Sequence, residues 1–283
     1  MPTLQLILLS FIQGITEFLP ISSSGHLIIV PKLIGLQDQG LIMDVAVHLG
    51  TLLAVIIYFW RDIYRLLFSV VKIFLNTKSQ SGVNSDFLLL TKLLISSLPV
   101  MFMGLLLSKY LVINLRTLEI IGWTTLIFGV LLFFADKLSM TILKINHISF
   151  SGAIFIGLMQ VLALIPGTSR SGITMTAARF LGVERQDAAR FSMLLAIPAI
   201  LGAASLKSYE IYVSGKDFMV IEAGILVSLS FIFALFAITL LMAWLRRANF
   251  TPFVIYRIVL GGILIFIAYK APEFNFWSYL EAY

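Results

Sequence analysis

FIQGITEFLPISSSGH (residues 11–26) and LMQVLALIPGTSRSGI (residues 158–173) are the two stretches that decide the fold. In each of them an apolar run ends at a proline that is followed by serine, threonine and glycine residues. Proline removes a backbone donor and glycine permits sharp turns, so a helix should stop at each point. The sequence therefore predicts two broken helices, whose apolar parts lie at about 3–20 and 150–166.

The two stretches also resemble each other. The aligned pairs are Gln13–Gln160, Ser22–Ser169, Ser23–Arg170, Ser24–Ser171 and Gly25–Gly172. The same offset pairs 47–55 with 194–202, and 120–134 aligns with 253–267 after a shorter connector. We infer a single membrane domain over residues 1–283 that contains two repeats, at about 1–138 and about 148–270.

The composition is that of a membrane protein. The chain has 283 residues, of which 60% are hydrophobic and only 12% are charged, whereas soluble domains carry roughly 25% charged residues. A water-facing surface cannot be built from so little charge, so membrane lipids are the expected surroundings. The mean hydropathy of +1.02 agrees. Apolar runs lie at about 3–20, 41–60, 86–108, 117–135, 150–166, 191–206, 219–244 and 252–269.

Charge and cysteine content exclude several classes of protein. The net charge of +6 would suggest a nucleic-acid partner for a soluble protein. In an apolar chain, basic cytoplasmic loops and anionic lipid headgroups explain it better, so no nucleic-acid partner is expected. Since the sequence contains no cysteine, disulfides and thiolate metal sites are excluded.

The predicted fold is an all-α polytopic membrane protein. If each broken segment is a re-entrant helical hairpin, each repeat contains that hairpin and three full transmembrane helices. About 20 apolar residues are needed for each crossing. An odd number of crossings inverts the second repeat relative to the first, so the two hairpins would meet near the bilayer midplane, as in transporter folds.

Loop charges predict an orientation. By the positive-inside rule the more basic side is cytoplasmic, which puts both termini outside. That side collects Arg61, Arg65, Lys72, Lys78, Lys137, Lys144, Arg185, Arg190, Arg246 and Arg247. Its longest connection, 61–85, is predicted to include an amphipathic interfacial helix. The aromatic tail at 271–283 is predicted to lie at the membrane interface.

Two ionisable residues stand out in the broken segments. Glu17 is the only Asp, Glu, Lys or Arg among residues 1–31, and Arg170 is the only one from 148 to 178. An ionisable residue at membrane depth costs roughly 2.5–3.5 kcal/mol on insertion scales, so it normally faces a cavity and has a partner. A purely structural ion pair between them is the alternative, but it does not explain the hydroxyl groups around them.

Around Glu17 the first segment gathers the residues of a catalytic site. Gln13 and Glu17 lie on one helix face, four residues apart. After Pro20, hydroxyls and backbone amides at a helix start form an anion cradle. The residues in question are Ser22, Ser23, Ser24 and Gly25. His26 follows directly, and its imidazole exchanges protons near neutral pH.

Around Arg170 the second segment gathers donors for an anion. The guanidinium matches phosphate oxygens in a bidentate manner, and neighbouring hydroxyls add further donors. The candidate binding residues beside it are Thr168, Ser169, Ser171 and Gly172. The alternative is that some of these residues only satisfy backbone groups freed by the helix break.

The combined set of residues favours phosphoryl chemistry on an anionic substrate with an apolar tail. Such a reaction needs positioned charge, a nucleophile with a base, and often a divalent cation. Glu17 offers an oxygen ligand for Mg²⁺ or Ca²⁺, and Gln13 could add its carbonyl oxygen. A zinc site is not indicated, because the sequence has no His/Cys cluster. His48 lies in the apolar run 47–55 and could reach the cavity, but a core histidine with satisfied hydrogen bonds is the favoured interpretation.

QGITEFLPISSSGH (13–26) and PGTSRSG (166–172) resemble the two signature motifs of the undecaprenyl-diphosphatase family, also called bacitracin resistance proteins. The resemblance implies hydrolysis of undecaprenyl diphosphate to undecaprenyl phosphate, which recycles the lipid carrier of peptidoglycan synthesis. It also implies a divalent cation, a bacterial inner membrane location and a site open to the outer face. Its central residues match Glu17, Ser23, His26 and Arg170. A homo-oligomer is compatible with this interpretation.

Two mechanisms and two functions stay open at this point. Either Ser23 attacks the terminal phosphorus while His26 takes its proton, or His26 activates a water molecule for direct attack. The competing function is a transporter or flippase for a lipid phosphate, because inverted repeats with broken helices are a common transporter plan. A transporter does not need Ser23, His26 and Glu17 grouped so closely, so the sequence favours the hydrolase.

Overall fold

The computed structural model describes residues 3–33, 35, 40–74, 81–110, 115–214 and 220–270, and the tail at 271–283 lies outside them. The described residues form eleven α-helices and no β-strand, so the predicted all-α class is confirmed. The first half contains α1 (Thr3–Thr16), α2 (Ser23–Leu33), α3 (Gly40–Tyr58), α4 (Trp60–Phe74), α5 (Ser81–Tyr110) and α6 (Leu118–Leu138). The second half contains α7 (Phe150–Val161), α8 (Arg170–Phe180), α9 (Arg185–Ser214), α10 (Val220–Trp244) and α11 (Thr251–Lys270).

Several helices are long and apolar enough to cross a bilayer. In the described ranges five helices, α5, α6, α9, α10 and α11, meet this condition individually. The pair α3 and α4 is bent by 77° at Phe59 and makes a sixth span if it is counted as one broken crossing. The predicted multi-pass membrane protein is therefore confirmed.

The two broken segments each consist of a short helix, a break and a second short helix. α1 has 14 residues, which at 1.5 Å per residue gives about 21 Å, less than the roughly 30 Å of a bilayer core. α1 packs against α2, and α7 packs against α8 in the same way. Both first helices end before the proline: α1 stops at Thr16, and α7 stops at Val161 ahead of a short 3₁₀ turn. These contacts agree with two helical hairpins, while their inverted relation stays a prediction.

Each hairpin is supported by a helix from the other half of the chain. α1 packs along α10 and α7 packs along α5, while α6 and α11 pair with each other. Glycines allow the close approach at both hairpins. A Cβ atom on Gly14 would lie 2.9 Å from the carbonyl oxygen of Ser230, and one on Gly157 would lie 2.5 Å from that of Ser96. Each hairpin is thus fixed by close backbone packing against a helix of the other half of the chain.

Ion pairs join the helix ends on the basic side of the molecule. The amphipathic helix predicted within 61–85 is present as α4. Its Asp62 binds Arg190 at the start of α9, with 2.5 Å between Oδ1 and Nη2. Asp136 at the end of α6 binds Arg185, with 2.6 Å between Oδ1 and Nε. Residues predicted to be cytoplasmic therefore meet at one end of the bundle.

Candidate active site

The two breaks share one backbone geometry. Ser22 has φ of 76° and Ser169 has φ of 71°, values that residues other than glycine adopt uncommonly. The Ser22 hydroxyl accepts a hydrogen bond from the Gly25 amide at 3.3 Å, and the Ser169 hydroxyl accepts one from the Gly172 amide at 3.1 Å. Each serine thus caps the helix that follows it. These positions are equivalent in the sequence alignment of the two halves.

The capped helices begin with the two central polar residues. Ser23 is the first residue of α2, and Arg170 is the first residue of α8. Backbone N–H groups at a helix start carry partial positive charge and favour anions. Both residues are therefore held where a negatively charged ligand is stabilised.

Glu17 connects the two hairpins. Its Oε2 accepts a hydrogen bond from the Ser23 hydroxyl at 2.6 Å and another from Gln13 Nε2 at 3.0 Å. Its Oε1 accepts one from Arg170 Nη2 at 3.1 Å. The carboxylate is buried, with 7% of the residue exposed. One cluster thus contains four of the predicted site residues, namely Gln13, Glu17, Ser23 and Arg170.

Arg170 has capacity left for a ligand. Its Nη1 donates to the Ser192 carbonyl oxygen at 3.0 Å, and its Cζ lies 5.8 Å from the centre of the Phe18 ring. Its Nε is buried without a hydrogen-bond partner in the described part of the chain. Because a buried donor without a partner is costly, a shift of the side chain that lets this atom bind an oxygen of an anionic ligand is favourable.

His26 lies at the same break but faces another partner. Its Nδ1 lies 2.6 Å from the Ser22 carbonyl oxygen, so Nδ1 carries the proton and donates it. Its Nε2 therefore accepts the hydrogen bond from the Tyr256 hydroxyl, at 2.5 Å. The two rings stack with centroids 5.7 Å apart. The structure pairs the Ser23 hydroxyl with Glu17 and pairs His26 with Tyr256.

The hydroxyl groups around the breaks bind mostly within the protein. Ser171 donates to the Leu19 carbonyl oxygen at 2.8 Å and thereby ties the second break to the first. Ser169 lies 3.2 Å from Ser171, and Ser22 lies 3.3 Å from Ser24. These serines stabilise the loops. Their bonds agree with the alternative that some of the hydroxyls only satisfy groups freed by the helix breaks.

The remaining candidate binding residues differ in accessibility. Thr168 is fully buried, and its hydroxyl has no partner among the described residues. Gly25 and Gly172 are buried at the starts of their helices, while Ser24 is exposed. All the residues proposed to bind substrate thus lie at the two breaks.

A cavity of about 270 Å³ opens beside Arg170. Polar groups from His48, Asp44, Lys207 and Arg170 line it, and the rest of its wall is apolar. The volume is close to the lower end of the range for small-molecule sites. One cavity thus offers both charged groups and an apolar surface, as an amphipathic ligand requires.

The interpretation of His48 as a satisfied core histidine is wrong. Its side chain is 35% exposed, and its Nε2 lies 3.9 Å from Glu17 Oε2. Its Nδ1 donates to the Asp44 carbonyl oxygen at 2.7 Å, which leaves Nε2 directed at the site. The apolar residues around His48 in the sequence lie on other faces of α3, so the local composition concealed its position.

The donor set fits an oxygen-preferring divalent cation. Within the described residues, no group of three His, Asp or Glu side chains could hold a metal ion by itself. Glu17 supplies a carboxylate, and Gln13 Oε1 is buried without a partner in the described residues. Mg²⁺ and Ca²⁺ take remaining ligands from water and substrate phosphates. Gln13 turns its Nε2 towards Glu17, so a cation held by both residues would require the Gln13 amide to turn over.

Sequence reasoning missed Arg257 and Tyr256 on α11. Arg257 is fully buried beside both breaks, and Tyr256 binds His26. The signal was present, because Arg257 is the only Asp, Glu, Lys or Arg in the apolar run 252–269. The reasoning that identified Glu17 and Arg170 identifies it equally well.

Fold and site together define a class: a multi-pass α-helical membrane protein in which two broken helices bring an acid, a guanidinium and a hydroxyl together. The chain matches the family model described as bacitracin resistance protein BacA over residues 6–263. It is 46% identical to the undecaprenyl-diphosphatase of Jannaschia sp. (strain CCS1), over 93% of this chain and 98% of that protein. It is 47% identical to that of Dinoroseobacter shibae, over 95% of this chain and the full length of that protein. The chain therefore belongs to the bacitracin resistance protein family, as the motifs predicted.

Proposed function

We propose that this protein hydrolyses undecaprenyl diphosphate to undecaprenyl phosphate and inorganic phosphate. The reaction recycles the lipid carrier of peptidoglycan synthesis and accounts for the bacitracin resistance after which the family is named. Relatives that cover nearly the whole chain carry the name of this activity. The observation that carries the proposal is Glu17, which binds both Ser23 and Arg170.

The cavity beside Arg170 suits this substrate. Arg170 and Lys207 offer cationic groups to a diphosphate, and the apolar wall matches the first part of a prenyl chain. Asp44 adds one carboxylate to the lining, and Ser23 lies outside it, so the diphosphate would extend from the cavity past Arg170 to reach Ser23. Arginine binds phosphate oxygens in a bidentate manner, and Arg170 retains a buried Nε without a partner in the described residues. A polyprenyl diphosphate can therefore place its charged head against α8 and its tail along the apolar wall.

The first chemical step is attack of the Ser23 oxygen on the terminal phosphorus. A bond forms between that oxygen and phosphorus, while the bond from phosphorus to the bridging oxygen breaks. Undecaprenyl phosphate leaves with the bridging oxygen, and the Ser23 proton passes to a base. The helix starts at Ser23 and Arg170 favour the negative charge that develops on the phosphoryl oxygens.

Glu17 is the proton acceptor that the hydrogen bonds favour. Ser23 already donates to its Oε2 at 2.6 Å, within the range for direct proton transfer. When a diphosphate competes for the Arg170 guanidinium, the Glu17 carboxylate loses part of its ion pair and becomes a stronger acceptor. His26 is the second candidate, but its Nε2 would first have to exchange the Tyr256 hydroxyl.

Water completes the reaction. In the covalent route, water attacks the phosphoserine and releases inorganic phosphate, so the Ser23 oxygen is regenerated. In the alternative route, water attacks the terminal phosphorus directly, and Ser23 only orients the substrate. A divalent cation held by Glu17 and Gln13 would neutralise charge on the diphosphate in either route. Because the cation would also weaken Glu17 as a proton acceptor, His26 is the base that remains when Glu17 holds it.

We further propose that the protein resides in the bacterial inner membrane with this site open to the outer face. The positive-inside rule supports the orientation, because basic residues of α8 and α9 pair with Asp136 of α6 and Asp62 of α4 on one side. The lipid diphosphate would then be hydrolysed at the outer leaflet.

Phosphate release from undecaprenyl diphosphate by the detergent-purified protein tests the proposal. Release should require a divalent cation and fall when EDTA is added. Arg170→Ala should lower it by at least a hundredfold, since removing one such donor typically costs about 10²–10³ in kcat. Arg247→Ala is the control and should retain wild-type turnover, because Arg247 is exposed just after the end of α10.

Failure of the folded wild-type protein to release phosphate with Mg²⁺ or Ca²⁺ would contradict the hydrolase. Transport of a lipid phosphate would then be the remaining function of the same cavity. The names of the relatives favour hydrolysis over transport.

A further inference from the structure

Arg257 is a fully buried guanidinium that binds only backbone carbonyl oxygens in the described part of the chain. Its Nη1 donates to Pro20 at 3.3 Å, and its Nη2 donates to Gly167 at 3.1 Å and Thr168 at 2.9 Å. Nε donates to Thr125 at 3.1 Å, and Nη2 also lies 3.4 Å from the Thr124 carbonyl oxygen. One side chain of α11 thus touches α6 and both hairpin breaks.

The two breaks are held at equivalent atoms. Pro20 and Gly167 occupy the same position in the alignment of the two halves, because the offset between Ser22 and Ser169 also relates Pro20 to Gly167. A guanidinium is planar and rigid, so binding both carbonyl oxygens fixes the distance between the loops. Pro20 lies three residues from both Glu17 and Ser23, and Gly167 lies three residues from Arg170.

Two glycines leave space for the Arg257 side chain. A Cβ atom on Gly129 would lie 2.8 Å from the Arg257 Cβ, and one on Gly172 would lie 2.7 Å from its Nη1. Thr124 and Thr125 complete the arrangement, since their hydroxyls donate to Pro166 at 2.7 Å and Gly167 at 3.3 Å. The second break is therefore enclosed by α6 and α11.

We propose that Arg257 is a positioning residue for the reaction. It acts through the two loops, by keeping Glu17 and Ser23 of the first hairpin in register with Arg170 of the second. The activity part of this inference rests on the proposed hydrolase function. Arg257 thus forms a bridge between the carbonyl oxygens of Pro20 and Gly167. Since small misplacements of reacting groups lower turnover strongly, loss of this bridge lowers kcat more than it raises KM.

Arg257→Lys tests the bridge, because an ammonium keeps the charge but cannot span both carbonyl oxygens. Arg179→Lys is the matched control. Arg179 is equally buried and also donates to backbone carbonyl oxygens, among them that of Val183. It differs in lying at the basic end of the molecule and in pairing with Asp136. We expect kcat for undecaprenyl diphosphate to fall at least tenfold in Arg257→Lys, with KM changed less than threefold. Arg179→Lys should stay within threefold of wild type for both constants.

Thermal unfolding separates positioning from folding. Both lysine variants should unfold at similar temperatures, below that of the wild-type protein, and turnover is compared well below either midpoint. Near-wild-type kcat in Arg257→Lys, or an equal loss of kcat in Arg179→Lys, would overturn the inference.

A distance measurement decides the question without activity. Ile7 and Ile154 occupy equivalent positions in the two hairpins and are 44% and 45% exposed. The chain has no cysteine, so the pair Ile7→Cys and Ile154→Cys can be spin-labelled without removing native thiols. The wild-type and Arg179→Lys proteins should give one narrow distance distribution, and Arg257→Lys should broaden it. An unchanged distance distribution in Arg257→Lys would contradict the claim that Arg257 holds the two loops together. Wild-type protein that releases no phosphate would contradict only the hydrolase function.

Discussion

Glu17 is the residue at which charge, hydroxyl and guanidinium meet. Its neighbours in sequence are apolar, yet its carboxylate accepts hydrogen bonds from Gln13, Ser23 and Arg170. We propose that a bound diphosphate draws Arg170 away from Glu17 and so links substrate binding to activation of Ser23.

Loss of the Glu17 carboxylate or of the Ser23 hydroxyl should abolish most turnover. We expect Glu17→Gln and Ser23→Ala each to lower kcat by about 10³, because a nucleophile and its base act as a unit. The double variant should be hardly worse than either single one. Glu222→Gln and Ser228→Ala on α10 are the controls for loss of a carboxylate and of a hydroxyl. Additive losses in the double variant would mean that Glu17 and Ser23 act independently.

His26 should matter less than Glu17 if Glu17 is the base. The Nε2 atom of His26 is engaged by Tyr256, so His26→Gln should lower kcat by about tenfold or less, within the usual contribution of supporting groups. Steady-state phosphate release measures the ratio of the two variants. A loss in His26→Gln that equals the loss in Glu17→Gln would restore His26 as the proton acceptor.

The sequence predicted which residues lie at the two breaks better than it predicted which of them bind one another. Glu17 and Arg170 were predictable because each is an isolated ionisable residue in an apolar segment. The bond from Ser23 to Glu17 was not, since it depends on the positive φ of Ser22, which folds α2 back towards the end of α1. The position of His48 was misjudged because it depends on which face of α3 meets Glu17.

The hairpins are the elements on which the site depends, and glycines fix their position. Gly14→Ala and Gly157→Ala should each destabilise the protein by about 1–3 kcal/mol, because the added methyl groups overlap the backbones of α10 and α5. Thermal or chemical unfolding in detergent measures the change. Gly262→Ala is the control, since a Cβ there meets nothing within 4 Å. Equal stability of all three variants would contradict the tight packing of the hairpins.

Element boundaries were predictable to within a few residues in the apolar helices and less so elsewhere. The run at 219–244 corresponds closely to α10, whereas the run at 191–206 became the 30-residue α9. Polar residues such as Arg185 extend a helix beyond its apolar part, so hydropathy alone underestimates its length. The pairing of α1 with α10 and of α7 with α5 was not predictable, because apolar helix faces carry little partner information.

At the scale of the whole molecule, orientation remains a prediction with a direct test. Tyr212 is exposed near the end of α9, and Arg247 is exposed on the basic side after α10. In intact cells a membrane-impermeant maleimide should label Tyr212→Cys and leave Arg247→Cys unlabelled until the cells are opened. The cysteine-free wild-type chain is the background control. The reverse labelling pattern would place the basic side outside.

The proposed repeats, about 1–138 and 148–270, agree with the symmetry of the breaks. Ser22 and Ser169 share a positive φ and the same capping role, and each hairpin packs on a helix of the other half. Arg257 departs from this symmetry, because its counterpart in the alignment is Thr124. The site itself is also asymmetric, because Glu17 and Ser23 of the first hairpin face Arg170 of the second.

Hydrolysis of undecaprenyl diphosphate in ¹⁸O-labelled water tests the central claim most directly, because it reports which phosphorus is attacked. Mass spectrometry of both products should find one ¹⁸O atom in inorganic phosphate and none in undecaprenyl phosphate, whether Ser23 or water attacks first. Label in undecaprenyl phosphate would mean attack at the inner phosphorus. That result would contradict a site in which Glu17, Ser23 and Arg170 act on the terminal phosphoryl group.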